Sequence, residues 1–73
     1  MKTIRELREA QGWTQLQLAN QLGVTPATIY NWESGRYEPR VTQLRELARV
    51  FDITMDDIAL VEANDERRKK IAA

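Results

Sequence analysis

The stretch from Gln15 to Trp32, QLQLANQLGVTPATIYNW, leaves the chain few ways to fold. Its first part sets apolar Leu16, Leu18, Ala19 and Leu22 among polar Gln15, Gln17, Asn20 and Gln21, a helix-like pattern. Gly23 interrupts that pattern, Val24 follows, and Thr25-Pro26 opens a new element. Threonine is a good N-cap because its hydroxyl accepts a free N–H of the first turn. Proline suits the first helical position, where its missing N–H costs nothing. The second helix then runs to Ser34, with Ile29 and Trp32 on one face and Gly35 placed to end it.

Two short helices joined by a glycine-containing turn form a helix-turn-helix layout. Steeply crossed helices need a small side chain where they touch, and Ala19 provides one. The turn needs a residue that tolerates positive φ, and Gly23 is that residue. Leu18, Leu22, Val24, Ile29 and Trp32 supply the apolar faces that lock the pair. The same pattern also describes a plain αα-hairpin with no nucleic-acid role, since a fold does not dictate a function.

The remaining helices are read by the same signals. Thr3 caps a first helix, and Glu6 three residues later completes a capping box. Ile4, Leu7 and Ala10 give this helix its inner face, Gly12 ends it, and Thr14 caps the next. Trp13 and Trp32 read as packing residues rather than ligand platforms. Arg36 to Arg40 forms a loop, with Pro39 near the start of a further helix. Val41, Leu44, Leu47, Ala48 and Phe51 recur at helical spacing and predict an amphipathic helix. After a break at Asp52-Ile53-Thr54, Thr54 caps a last short helix, and Asp56 and Asp57 suit the positive end of its dipole. No strand alternation stands out. The expectation is an all-α fold of five helices, a domain over 1–61 and a charged tail over 62–73.

Charge and missing residue types narrow the chemistry. Seventy-three residues make one domain, and a chain this short buries only about 60% of its unfolded surface. Cysteine and histidine are both absent, which removes disulfides, thiolate metal sites, the commonest metal ligand and the commonest general base. Asp52, Asp56 and Asp57 are better read as helix-start acids than as a metal site, and no phosphate loop or nucleophile motif is present. An enzyme is therefore not expected, nor any cofactor. The start, MKTIRELREA, has no long apolar run and predicts neither signal peptide nor membrane span, so a cytoplasmic location is expected. Eleven basic and eleven acidic residues cancel. Nucleic-acid binders usually carry a basic excess, so any such role must rest on how the bases are distributed. From Asp52 to Glu66 there are six acids and no base, followed by Arg67-Arg68-Lys69-Lys70.

These features together resemble the Cro/C1-type helix-turn-helix family, also called the XRE family, over roughly residues 3 to 60. The likeness rests on IRELREAQGWTQLQLANQLGVTPATIYNWESGRYEP and then on LRELARVFDITMDDI. It implies a lambda-repressor-like fold and a sequence-specific double-stranded DNA-binding transcriptional regulator, typically a repressor. It also makes the helix from Pro26 to Ser34 the recognition helix, seated in the major groove. In the family, positions matching Pro26, Ala27 and Asn31 touch base edges, and Thr28 lies within reach of them. Asn31 is the best base reader, because its amide can both donate to and accept from adenine. Pro26 and Ala27 cannot make bidentate hydrogen bonds, which gives shape readout more weight.

Phosphate contacts implied by the resemblance fall on Thr14 and Gln15 at the start of the second helix, where free N–H groups and the helix dipole attract an anion. Tyr30, Arg36, Tyr37 and Arg40 are further phosphate candidates. Arg8 and Glu33 match a pair that forms a salt bridge between the first and third helices of phage repressors, and a partly buried structural pair is expected. Family members usually bind palindromic DNA as two-fold homodimers. Met55, Ile58, Leu60 and Val61 are the candidate dimer patch, and they serve equally well to finish the monomer core. Two other roles fit the residues. One is the DNA-binding antitoxin of a toxin–antitoxin pair, whose tail folds on its partner. The other is a protein-interaction module that has lost DNA binding. No small-molecule effector and no membrane partner is implied.

Overall fold

Three threonines at intervals of eleven residues, Thr3, Thr14 and Thr25, start three of the helices. In the computed structural model, which describes residues 1–61, each lies in extended backbone, and its hydroxyl accepts the N–H of the residue three further on. Helix α1 spans Ile4–Ala10, α2 Gln15–Leu22, α3 Pro26–Ser34 and α4 Val41–Phe51. At Thr3 and Thr14 the box is reciprocal: a carboxylate oxygen of Glu6 and the amide oxygen of Gln17 accept the cap N–H, at 3.0 and 2.7 Å. Proline occupies the first position of α3, as its sequence predicts. Helix α4 starts without a side-chain hydroxyl or carboxylate cap, because Arg40 fills the cap position. There the Gln43 side chain accepts the Arg40 N–H at 2.8 Å.

The helix ends are as uniform as the starts. Each of the four is followed by one residue in the left-handed region, Gly12, Gly23, Gly35 or Asp52. The chain then turns back so that the next N–H reaches a carbonyl of the last helical turn: Val24 to Ala19 at 3.0 Å, Arg36 to Asn31 at 3.0 Å, Ile53 to Ala48 at 2.9 Å. At Gly23, φ is +70°, and an added Cβ would meet no atom within 4 Å. Backbone conformation, not crowding, is what requires glycine in the turn.

Ile4, Leu18, Ala19, Ile29, Trp32, Leu47, Ala48, Phe51 and Ile58 form one buried core. Leu18, Ala19 and Ile29 have no exposed surface, so Ala19 sits at the α2–α3 crossing that its small size allows. Trp13 lies against the Phe51 ring with centroids 5.9 Å apart, closing the core beneath the α1–α2 connection. Three apolar positions that fit the inner stripes lie elsewhere. Leu16 and Val41 are 55% and 60% exposed, and Ala10 is also on the surface. Val41 begins α4 and Ala10 ends α1, both at solvent.

The expected fifth α-helix is not there; the described residues hold four. Met55–Asp57 makes a single 3-10 turn, in which the Thr54 hydroxyl donates to the Asp57 carboxylate at 3.0 Å. The chain then extends. Strand β1, Lys2–Thr3, and strand β2, Ile58–Ala59, pair in parallel, Lys2 opposite Ile58 and Thr3 opposite Ala59. The four residues expected as a dimer patch are not equally exposed. Ile58 is buried, and Met55 and Leu60 pack against the same core, which leaves Val61 exposed at 38%. The tail, including Arg67 to Lys70, lies outside the described residues.

Candidate nucleic-acid interface

Helix α3 divides its residues sharply. Ile29 and Trp32 face inward, while Pro26, Ala27, Tyr30 and Ser34 are exposed. Asn31 is half-buried, and its main-chain carbonyl is the busiest acceptor in the region. It takes the N–H groups of Arg36 and Tyr37 at 3.0 and 3.3 Å and the Ser34 hydroxyl at 3.2 Å. Among the described residues its carboxamide has no hydrogen-bond partner, so the backbone at Asn31 is fixed while the side chain stays free to bind. Thr28 differs: its hydroxyl lies 3.0 Å from that of Thr25, which ties it to the cap of its own helix.

The second group of residues meets where α1, α2 and α3 converge. Arg8 donates from Nε to Glu33 Oε2 at 2.7 Å and from Nη2 to Glu33 Oε1 at 3.1 Å. A third donor, Nη1, reaches the Trp13 carbonyl at 2.8 Å. The two side chains are only 11% and 6% exposed. Hydrogen bonding to Glu33 raises the Arg8 pKa further above its ordinary value, against a smaller opposing effect of burial. Gln15 joins this network by donating from Nε2 to Glu33 Oε1 at 3.1 Å. Sequence reading gives Gln15 and Glu33 separate roles. Their contact spans eighteen positions, and nothing local announces it.

At the start of α2, Thr14 takes the Gln17 N–H on its hydroxyl and the Leu18 N–H on its carbonyl. The N–H groups of Gln15 and Leu16 point out of the helix end, a geometry that suits an anion. Past α3, the Arg36 guanidinium stands 5.7 Å from the centre of the Tyr37 ring, and both residues are exposed. Arg40 is also exposed, at the start of α4. The arrangement is a helix with a free outer face, flanked by hydrogen-bond donors and cations, and its inner face is bolted to the scaffold. Such a surface can bind nucleic acid; it brings together no acid–base pair with a nucleophile.

A helix-turn-helix of this geometry, carried on a small four-helix scaffold, defines a DNA-binding module. The chain belongs to the Cro/C1-type helix-turn-helix family, whose family model matches residues 4–58. It is 37% identical over 59 residues to an uncharacterized HTH-type transcriptional regulator of Archaeoglobus fulgidus, an alignment covering 81% of this chain and 84% of that protein. It is 37% identical over 65 residues to the competence pilus inhibition repressor of Acinetobacter baylyi, covering 86% of this chain and 57% of the repressor. With the HTH-type transcriptional activator BcrR of Enterococcus faecalis it shares 36% identity over 55 residues, 75% of this chain and 27% of the activator. The chain thus spans little more than a quarter of one of these relatives and most of another. Among the described residues no helix is long and apolar enough to cross a membrane.

Proposed function

We propose that this chain is a sequence-specific transcriptional regulator acting as a repressor in the cytoplasm, a homodimer on a palindromic operator. The observation that carries the reading is the state of Asn31, whose main-chain carbonyl takes the Gly35, Arg36 and Tyr37 N–H groups and the Ser34 hydroxyl while its carboxamide has no partner among the described residues. The outer face of α3 enters the major groove with Asn31 on a base edge, best an adenine. Pro26 and Ala27 lie against the groove as apolar neighbours, and Thr28 fixes the start of the helix. Thr14, Gln15, Tyr30, Arg36, Tyr37 and Arg40 hold the sugar-phosphate backbone on either side. Two copies place their α3 helices about 34 Å apart, one turn of DNA. A repressor needs nothing more than occupancy of its site, which a single small domain can supply.

Selection of random-sequence duplexes followed by sequencing tests this, with Asn31→Ala in parallel and at two salt concentrations. Enrichment of a palindrome, blurred at one position per half-site by the substitution, is the expected result. Absence of any enriched sequence overturns the reading.

A further inference from the structure

A groove of about 160 Å³ lies between the helix-turn-helix and α4. Leu22, Val24 and Trp32 give it an apolar wall, and Thr42, Gln43 and Glu46 of α4 form its rim. Trp32 is its one residue from α3, so the groove lies apart from the exposed residues of that helix. Beside the rim, α4 carries a second stripe. Val41 and Arg45 are one turn apart on the helix, and both are exposed, Val41 at 60%. Thr42 and Glu46 repeat that spacing one position further on. Each stripe thus has an uncharged residue in one turn and a charge in the next, and the two charges are opposite. Arg45 has no ion pair among the described residues. Glu46 pairs with Arg49 of its own helix, and both of those side chains are exposed. An exposed pair of this kind is weak and readily exchanged.

We infer that this groove takes Val41 of a second copy of the chain, with the two α4 helices side by side and parallel. This contact, which rests on the homodimer reading, names the surface through which the copies meet. A two-fold contact uses one patch twice, so the patch must complement itself. Here an apolar knob, an apolar hole, a base and an acid all belong to the start of α4 and the groove beside it. In parallel register Val41 of one copy lies level with Thr42 of the other, at the rim of the hole, to within a rise of about 1.5 Å. Arg45 then lies level with Glu46, which exchanges Arg49 for the arginine of the second copy. Both contacts form twice, once on each side of the axis. Asn31 does not line the groove, so the joined copies leave it open to DNA.

The test is sedimentation equilibrium of the full chain without DNA, over a series of concentrations. The parent is expected to form a dimer. Val41→Asp sets an acid against an apolar hole rimmed by Glu46, and should weaken that dimer by about tenfold or more. Its circular dichroism spectrum should match the parent's, because the position is exposed. Arg45→Glu and Glu46→Arg should each weaken the dimer as well. The double variant Arg45→Glu/Glu46→Arg should recover most of the loss, since opposite charges face each other again; a role confined to one chain predicts no such recovery. A dimer unchanged by Val41→Asp, or weakened by Val61→Asp alone, overturns the inference and leaves the homodimer reading intact. Failure of the double variant to recover overturns it too. A parent that is monomeric at every concentration also overturns it, and the palindrome selection then decides the homodimer on DNA separately.

Discussion

Glu33, one residue past Trp32 on α3, grips the Arg8 guanidinium of α1 with both carboxylate oxygens. This nearly buried pair ties α3 to α1. Arg8→Ala would leave the Glu33 carboxylate buried with Gln15 as its one donor among the described residues, a loss of about 3–5 kcal/mol. In a domain of this size that lowers Tm by at least about 10 °C. The double variant Arg8→Met/Glu33→Leu should recover most of the loss, since replacing both charges leaves neither unpaired. Thermal unfolding followed by circular dichroism measures both. A Tm change no larger than that of an ordinary surface alanine would contradict the account.

Asn31→Ala removes a side chain with no protein hydrogen bond among the described residues, so stability should hardly move. Binding to the selected operator should weaken by about 1–3 kcal/mol, with preference relaxed at one base of each half-site. Titration of operator duplexes altered singly at each position reads this out. Uniform weakening across all positions would assign Asn31 to the backbone instead.

The two left-handed residues Gly23 and Asp52 should respond in opposite directions. At Gly23, φ is +70°, and alanine there should cost about 1 kcal/mol or more, although nothing crowds the added methyl. Asp52 holds φ +56° with a side chain attached, and Asp52→Gly should stabilise by up to about 1 kcal/mol. Urea unfolding of both variants checks the signs, and loss of stability in Asp52→Gly would mean that its carboxylate has a role beyond the cap.

Ile58→Ala cuts into the core and is expected to cost about 2–5 kcal/mol. Val61→Ala, at an exposed position, should change monomer stability by less than about 0.5 kcal/mol. Sedimentation equilibrium separates the two roles. If Val61 belongs to a dimer contact, Val61→Asp shifts the mass toward monomer without unfolding it.

Acid should loosen the start of α1. The Thr3 N–H, and then the Thr3 side chain, hold the Glu6 carboxyl below its ordinary value of 4.5. A folded-state pKa that is depressed contributes stability above the unfolded value, and that contribution is lost as pH falls through the folded one. Glu6→Gln keeps the oxygen that accepts the Thr3 N–H and removes the titration. Its Tm should therefore fall less than the parent's between about pH 6 and pH 3. Equal losses in the two proteins would show that the capping carboxylate is not responsible.

The parts of this fold legible in the sequence are those that local chemistry specifies. Threonine at Thr3, Thr14 and Thr25 and glycine at Gly12, Gly23 and Gly35 mark starts and stops through hydrogen bonds made within a few residues. Ile29 and Trp32 declare their face by spacing alone. The last segment was unreadable for the opposite reason. Met55, Ile58 and Ala59 have helical spacing, but what decides their conformation is a backbone partner at Lys2 and Thr3, at the far end of the domain. Val41 matches an apolar stripe yet stays exposed at the first position of α4 among the described residues. In the site, the outer face of α3 follows from its inner one. The Gln15–Glu33 hydrogen bond beside Arg8 comes from three helices meeting, which no single window of sequence contains.

The parallel pairing of β1 with β2 has a mechanical consequence. Because the strands run the same way, tension applied between residue 1 and residue 61 pulls them along their own axes in opposite senses. The load falls on the pair in shear, and its hydrogen bonds resist together instead of opening one after another. The helices that carry the recognition surface are enclosed between those two strands in the chain, so a pull at either end reaches them only after this short clamp has failed.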